Sequence, residues 1–220
     1  MFPNWAKNIL FLLVYMISGL VLVIIIEGLI SGTALMPLNT VIEQAVMHMR
    51  TPFLTTILVV ITRAGNSFIL LSATIFIAVL LFLRGRHYDA LLFAMAMIIA
   101  IASLTVLKNT FQITRPGSEI VDVNGWSFPS GHATMATAFF FLLAHTFFKN
   151  MKTLRGRTIL VVGSITAATL VCFSRLYLGA HWTLDILAGI ALGLLSVSLT
   201  VLLFNVFVGD KRSLREKISL

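Results

Sequence analysis

An all-α fold, a six-transmembrane-helix bundle with short interfacial helices between spans 1 and 2, is what this sequence predicts. Three observations carry that reading. The 220-residue chain has a mean hydropathy of +1.01 and only 11% charged residues, against about 25% in an ordinary soluble domain. Apolar stretches long enough to cross a bilayer as helices recur along it. Lysines and arginines mark one set of span ends far more heavily than the other. A single integral membrane domain, 1–220, is expected. The net charge of +8 is no nucleic-acid signature, because the basic residues form no single patch. The one cysteine, Cys172, excludes an internal disulfide and reads as a small buried hydrophobe within its apolar run.

The spans are read at 8–28, 68–83, 89–107, 132–148, 157–174 and 184–207. The first exceeds a signal-peptide core, since Ile9 to Ile26 is eighteen residues, and Gly32 with Ala34 makes a weak cleavage site. It is expected to be retained. The second is short, with flanks available to extend it. Segment 31–67 is too long for a simple loop. Within it Val41, Ile42, Ala45, Val46 and Met49 recur at helical spacing. Thr51 then Pro52 reads as an N-cap followed by proline at the first helical position. Both short helices are expected to lie in the membrane interface and pack on the bundle. No internal repeat or low-complexity segment is present.

Orientation follows from the cations. With six spans the termini share a side, and that side collects Lys7, Arg84, Arg86, Lys149, Lys152, Arg155, Arg157, Lys211, Arg212, Arg215 and Lys217. The other side holds only Arg50, Arg63, Lys108, Arg115 and Arg175. Both termini are therefore expected in the cytoplasm. The C-terminal basic cluster reads as a topology signal and a contact for anionic head groups.

Three of the outward cations end apolar helices beside other polar residues. Lys108 opens "KNTFQITRP", and a continuing helix would set Arg115, seven residues on, upon the same face. Arg175 follows Ser174 at the end of the fifth span. A lone cation there usually snorkels to the interface, but three on the side that should be poor in them suit a phosphate. In "WSFPSGHATM", residues 126–135, Ser130 is placed to cap the fourth span, which aims the N–H groups of Gly131 and His132 outward. This stretch alone fits a capped turn and an anion site equally well. In "SRLYLGAHWTLD", His181 and Asp185 are four apart and share a helical face. A carboxylate at the head of the last span needs a partner, and an oriented imidazole with one nitrogen free has the makings of a nucleophile. All three segments fall at the extracytoplasmic ends of their spans.

Lys108-x6-Arg115-Pro116, Pro129-Ser130-Gly131-His132 and Ser174-Arg175-x5-His181-x3-Asp185 together resemble the three-part signature of the type 2 phosphatidic acid phosphatase superfamily. The resemblance covers 108–185 by motif, and no signature position departs from it. It implies a membrane lipid phosphatase. In that scheme His181 attacks phosphorus to give a phosphohistidine, Asp185 raises its basicity, and His132 protonates the leaving oxygen. Lys108, Arg115, Arg175, Ser130 and Gly131 hold the phosphate. The residues alone leave open which histidine is the nucleophile; Asp185 at i+4 favours His181. The chain is most similar to compact bacterial members, for which phosphatidylglycerophosphate and undecaprenyl diphosphate are the expected substrates.

A site that brings its own positive charge needs no metal, so no metal and no cofactor are expected. The expected partners are the lipid phosphate and membrane lipids, with no nucleic acid and no obligatory protein. Two alternatives remain: a lipid-linked phosphotransferase using the same phosphohistidine, and a non-catalytic lipid-binding membrane protein. Vanadate haloperoxidases share the signature but are soluble. His48, His87 and His145 are assigned no chemistry. Glu119 and Asp122 read as a solvated rim.

Overall fold

The computed structural model describes residues 4–32 and 36–207, and among these it contains helices and no strand. The helices are α1 Asn4–Ser31, α2 Met36–His48, α3 Pro52–Ala64, α4 Ser67–Leu83, α5 His87–Phe111, α6 Gly131–Phe147, α7 Leu154–Tyr177 and α8 Thr183–Phe207. A 3-10 turn, Phe148–Asn150, extends α6. Ala34 and the C-terminal cluster Lys211, Arg212, Arg215 and Lys217 lie outside the described residues.

By length and composition α1, α5, α6 with its extension, α7 and α8 can each cross a membrane alone. The expected span at 68–83 corresponds to α4, which qualifies only jointly with α3, as a pair bent by 43°. The count is thus five, or six with the bent pair as one. The break carries its own cap, for Asn66 Oδ1 accepts Phe68 N at 2.8 Å. At the other end of α3, Pro52 follows Thr51, whose Oγ1 accepts Leu54 N at 3.3 Å.

The α2 stripe differs from the periodicity reading. Ile42 and Val46 do pack toward Tyr177 and Leu178, but Val41 and Met49 are 62% and 53% exposed. The inward face is Asn39, Ile42 and Val46, and Asn39 Oδ1 accepts Leu184 N at 3.1 Å. In a lipid-facing protein an apolar side chain is under little pressure to turn inward, so apolar spacing does not single out one face. The same reason leaves Leu13, Met16, Ile17 and Leu20 of α1 exposed.

The most buried helix is α8, which packs against α1, α5 and α6. The core joins Phe93, Met97 and Ala100 of α5, Met135, Phe139 and Leu142 of α6, and Val197 and Val201 of α8. Gly189 and Gly193, four apart, let α8 lie directly on the α6 backbone. A Cβ at Gly189 would sit 2.8 Å from Ser130 O, and one at Gly193 would sit 2.7 Å from Thr134 O. Such close approach through small residues is how helices gain contact where no hydrophobic force drives them together. At the end away from Ser130, Arg86 clasps the α4–α5 turn to α6, with Nε donating to Asp89 at 2.8 Å and Nη2 to Thr146 O at 3.1 Å.

Replacing a helical glycine by alanine ordinarily gains up to about 1 kcal/mol. At Gly189 the new methyl would press on backbone that cannot rotate away, so Gly189→Ala is expected to lose about 1–3 kcal/mol. Gly163→Ala in α7, where a Cβ meets nothing within 4 Å, is expected to keep or raise the melting temperature. Thermal unfolding of the two variants in detergent checks this. Equal behaviour contradicts the packing argument.

Candidate active site

Four helix ends converge: the C-termini of α5 and α7 and the N-termini of α6 and α8. The loops 112–130 and 178–182 close over them. Ser130 caps α6 as expected, its Oγ accepting Ala133 N at 3.5 Å, and its own N–H donates to Asp185 O at 3.0 Å. That bond fixes the head of α6 to the head of α8. The first-turn N–H groups of α6, at Gly131 and His132, end at this junction, a favourable place for an anion.

Asp185 is 1% exposed, yet its carboxylate is surrounded by donors. Oδ2 accepts Trp182 N at 2.9 Å and the Ser127 hydroxyl, and lies 3.5 Å from His181 Nδ1. Ser127 Oγ is also 3.3 Å from Nδ1. With Asp185 and Ser127 both on the Nδ1 side, the proton belongs on Nδ1, leaving Nε2 unprotonated. Nε2 faces Arg115 Nη1 at 3.4 Å. His181 itself is 4% exposed. Burial pushes its pKa below the ordinary histidine value, Asp185 opposes the shift, and Arg115 and Arg175 reinforce it. The ring is therefore neutral at neutral pH. The His181–Asp185 pair forms although α8 begins only at Thr183, so His181 sits in the turn before the helix.

The cations arrive by different routes. The helix expected to carry both Lys108 and Arg115 stops at Phe111, where Gln112 adopts a left-handed conformation with φ 48°. Arg115 instead reaches the site from the loop. Its Nε donates to Gly125 O at 3.0 Å, Nη2 to Asn124 O at 3.0 Å, and Nη1 to Ala180 O. Lys108 Nζ donates to Trp126 O, which Arg115 Nη2 also contacts at 3.4 Å. Burial lowers the Arg115 pKa against the opposing charges of Asp185 and Glu119, and an arginine guanidinium stays charged in proteins. Arg175 does not snorkel. It is 5% exposed, Nη1 donates to Thr62 Oγ1 at 2.9 Å, and its buried Nε has no partner among the described residues. His132, in the first turn of α6, lies close enough for the charges of Arg175 and Arg115 to act on it.

Thus Lys108, Arg115, Ser130, Gly131, His132, Arg175, His181 and Asp185 gather at one end of the bundle. Ser127 and Thr62 were not anticipated. Ser127 stands within "WSFPSGH" itself, two residues before the expected Pro129-Ser130-Gly131-His132 run. Thr62 lies 113 residues from Arg175 and carries no local signal. Among the described residues no three His, Cys, Asp or Glu side chains converge as a metal site would require.

Comparison with known proteins places the chain in a family. A family model described as the PAP2 superfamily matches residues 89–208, which span every residue of the cluster except Thr62. A phosphatidylglycerophosphatase B of Bacillus subtilis is 29% identical over 174 residues, covering 78% of this chain and 86% of that protein. An undecaprenyl-diphosphatase of Sulfolobus acidocaldarius is 26% identical over 172 residues, covering 75% and 78%. The crystal structure of a transmembrane PAP2-type phosphatidylglycerolphosphate phosphatase from Bacillus subtilis superposes with a TM-score of 0.80 at 27% identity. It covers 88% of this chain and 96% of that one. Aquifex aeolicus LpxE shares the fold, with a TM-score of 0.61 at 24% identity over 74% of this chain and 94% of that one. With more than half its length matched, the chain belongs to the PAP2 superfamily, as a membrane-embedded phosphoric ester hydrolase.

Proposed function

We propose that the chain, one domain over 1–220, removes phosphate from a lipid phosphate or diphosphate at the extracytoplasmic face through a phosphohistidine on His181. The observation that carries this reading is the state of His181. Its Nδ1 is 3.5 Å from Asp185 Oδ2, and its Nε2 is 3.4 Å from the Arg115 guanidinium. A neutral imidazole with its unprotonated nitrogen beside a cation meets an incoming phosphorus where phosphate charge is best neutralised.

Nε2 attacks phosphorus while the bond to the lipid oxygen breaks, and His132 passes its proton to that oxygen. Water then attacks the phosphohistidine and gives a proton back to His132. Inorganic phosphate leaves and His181 is restored. Asp185, oriented by Ser127 and Trp182, stabilises the positive imidazole of the intermediate. Lys108, Arg115 and Arg175 hold the phosphate oxygens, with Ser130 and the Gly131 N–H at the α6 terminus. Backbone carbonyls fix Lys108 and Arg115 in place without cancelling their charge. The partnerless Nε of Arg175 supports an anion as the missing partner. So many cations leave no role for a metal ion.

Phosphatidylglycerophosphate and undecaprenyl diphosphate are the proposed substrates, supported by the names of the two relatives. The surplus of cations at the opposite end supports both termini in the cytoplasm. The exposed apolar side chains Val41 and Met49 support α2 lying in the interface.

A phosphate-release assay on the purified protein with both lipids and phosphatidic acid, in EDTA and without an acceptor, tests the reading. Activity is expected to persist in EDTA and to vanish in His181→Ala and in His132→Ala. Near-normal turnover in either variant removes the role given to that residue. Release that needs an added acceptor replaces hydrolysis by phosphotransfer. For Ser127→Ala, loss of a hydrogen bond to a charged group, about 1.5–3 kcal/mol, is expected to lower kcat at least tenfold with KM little changed. An unchanged kcat contradicts the positioning of Asp185 by Ser127.

A further inference from the structure

A cavity of about 980 Å³ lies between α1, α6, α7 and α8, away from the cluster just described. Its walls include Phe11, Phe141, Val161, Ile165, Ile190 and Leu194, and none of the proposed catalytic or phosphate-holding residues lines it. Its polar end holds three cations, Lys7, Lys149 and Arg157, with His145 beside them. Among the described residues Lys7, Lys149 and Arg157 have no carboxylate within ion-pair distance. Asp89, whose charge reaches His145, is held by Arg86. Arg157 is already posed, with Nε donating to Met151 O at 3.1 Å and its guanidinium 5.3 Å from the centre of the Phe148 ring. Neither Nη donates a hydrogen bond to a described residue.

Dimensions narrow the occupant. The lining on α6 and its 3-10 extension runs from Thr137 to Phe148, roughly 16 Å at 1.5 Å per residue. That is half of a hydrocarbon core of about 30 Å, the depth of one leaflet. The cationic end is some seventeen residues along α6 from His132, roughly 25 Å away. A lipid with its head group there cannot present its phosphate to His181.

We propose that this cavity binds a structural phospholipid with an anionic head group, drawn from the leaflet at the Lys149 end. The head group sits on Lys7, Lys149 and Arg157, and an acyl chain runs toward Thr137. Apolar walls alone would accept any lipid tail; unneutralised cations at head-group depth select the charge. The bound chain fills the wedge that leaves α1 resting on α8 without packing on α7.

The test uses the full-length protein in mild detergent, offered phosphatidylserine and phosphatidylcholine of identical acyl chains. Phosphatidylserine is anionic but carries no phosphomonoester, so it is not a substrate of the proposed reaction. Native mass spectrometry is expected to show phosphatidylserine retained at least tenfold over phosphatidylcholine. In Lys149→Gln/Arg157→Gln the preference falls to about one, while phosphatase activity is unchanged. Ala168→Trp, which fills the wall and spares the cations, is expected to lose both lipids. Equal retention by the wild type, or a preference that survives the double substitution, overturns the proposal. So does disulfide cross-linking of Ile165→Cys to a second copy, which makes the groove a protein interface. The lipid-retention outcomes are independent of the phosphate-release assay.

Discussion

A carboxylate 1% exposed at the head of α8 sets the terms for the rest of this structure. An isolated charge at such a depth is very costly. Asp185 is tolerated because donors come to it from three directions: the Ser127 hydroxyl, the Trp182 amide and the His181 ring. Its own carbonyl meanwhile accepts the Ser130 N–H, which opens α6. Satisfying this one residue therefore fixes the 112–130 loop, the tautomer of His181 and the relative position of two helix N-termini. Gly189 and Gly193 make the arrangement possible by letting α8 approach α6 within backbone contact.

The second constraint is electrostatic. Lys108, Arg115 and Arg175 are gathered at one end of the bundle, and the two that the 112–130 loop touches are held by carbonyl dipoles. Dipoles orient cations without discharging them, so this end keeps a standing demand for an anion. The far end of the bundle carries a like demand at Lys7, Lys149 and Arg157, above an apolar cavity. The chain thus presents two separated cationic places, one beside the His181–Asp185 pair and one above an apolar cavity.

The helices were legible because spans in lipid announce themselves by length, and the helix starts at Thr51–Pro52 and Ser130 by residue type. The cluster was legible because charged and polar residues are costly at membrane depth, so Lys108, Arg175 and Asp185 stood out against their apolar runs. Three things were not. The face of α2 was hidden because Val41 and Met49, though at helical spacing, can rest in an apolar surround. The path of Arg115 was hidden because nothing in "KNTFQITRP" announces the left-handed Gln112 that ends α5. Thr62 was hidden because its contact with Arg175 is purely tertiary. Ser127 and the Gly189–Gly193 pair were present as residue types, but their meaning depends on which helix lies opposite.

The central claim is that His181 Nε2 becomes covalently bonded to phosphorus. Turnover of a ³²P-labelled lipid phosphate, stopped in alkaline detergent where phosphohistidines survive, tests it most directly. The account predicts label on the peptide containing His181, released by acid and absent from His181→Ala. Full turnover with no protein-bound label at any quench time, or label on another residue, would contradict it.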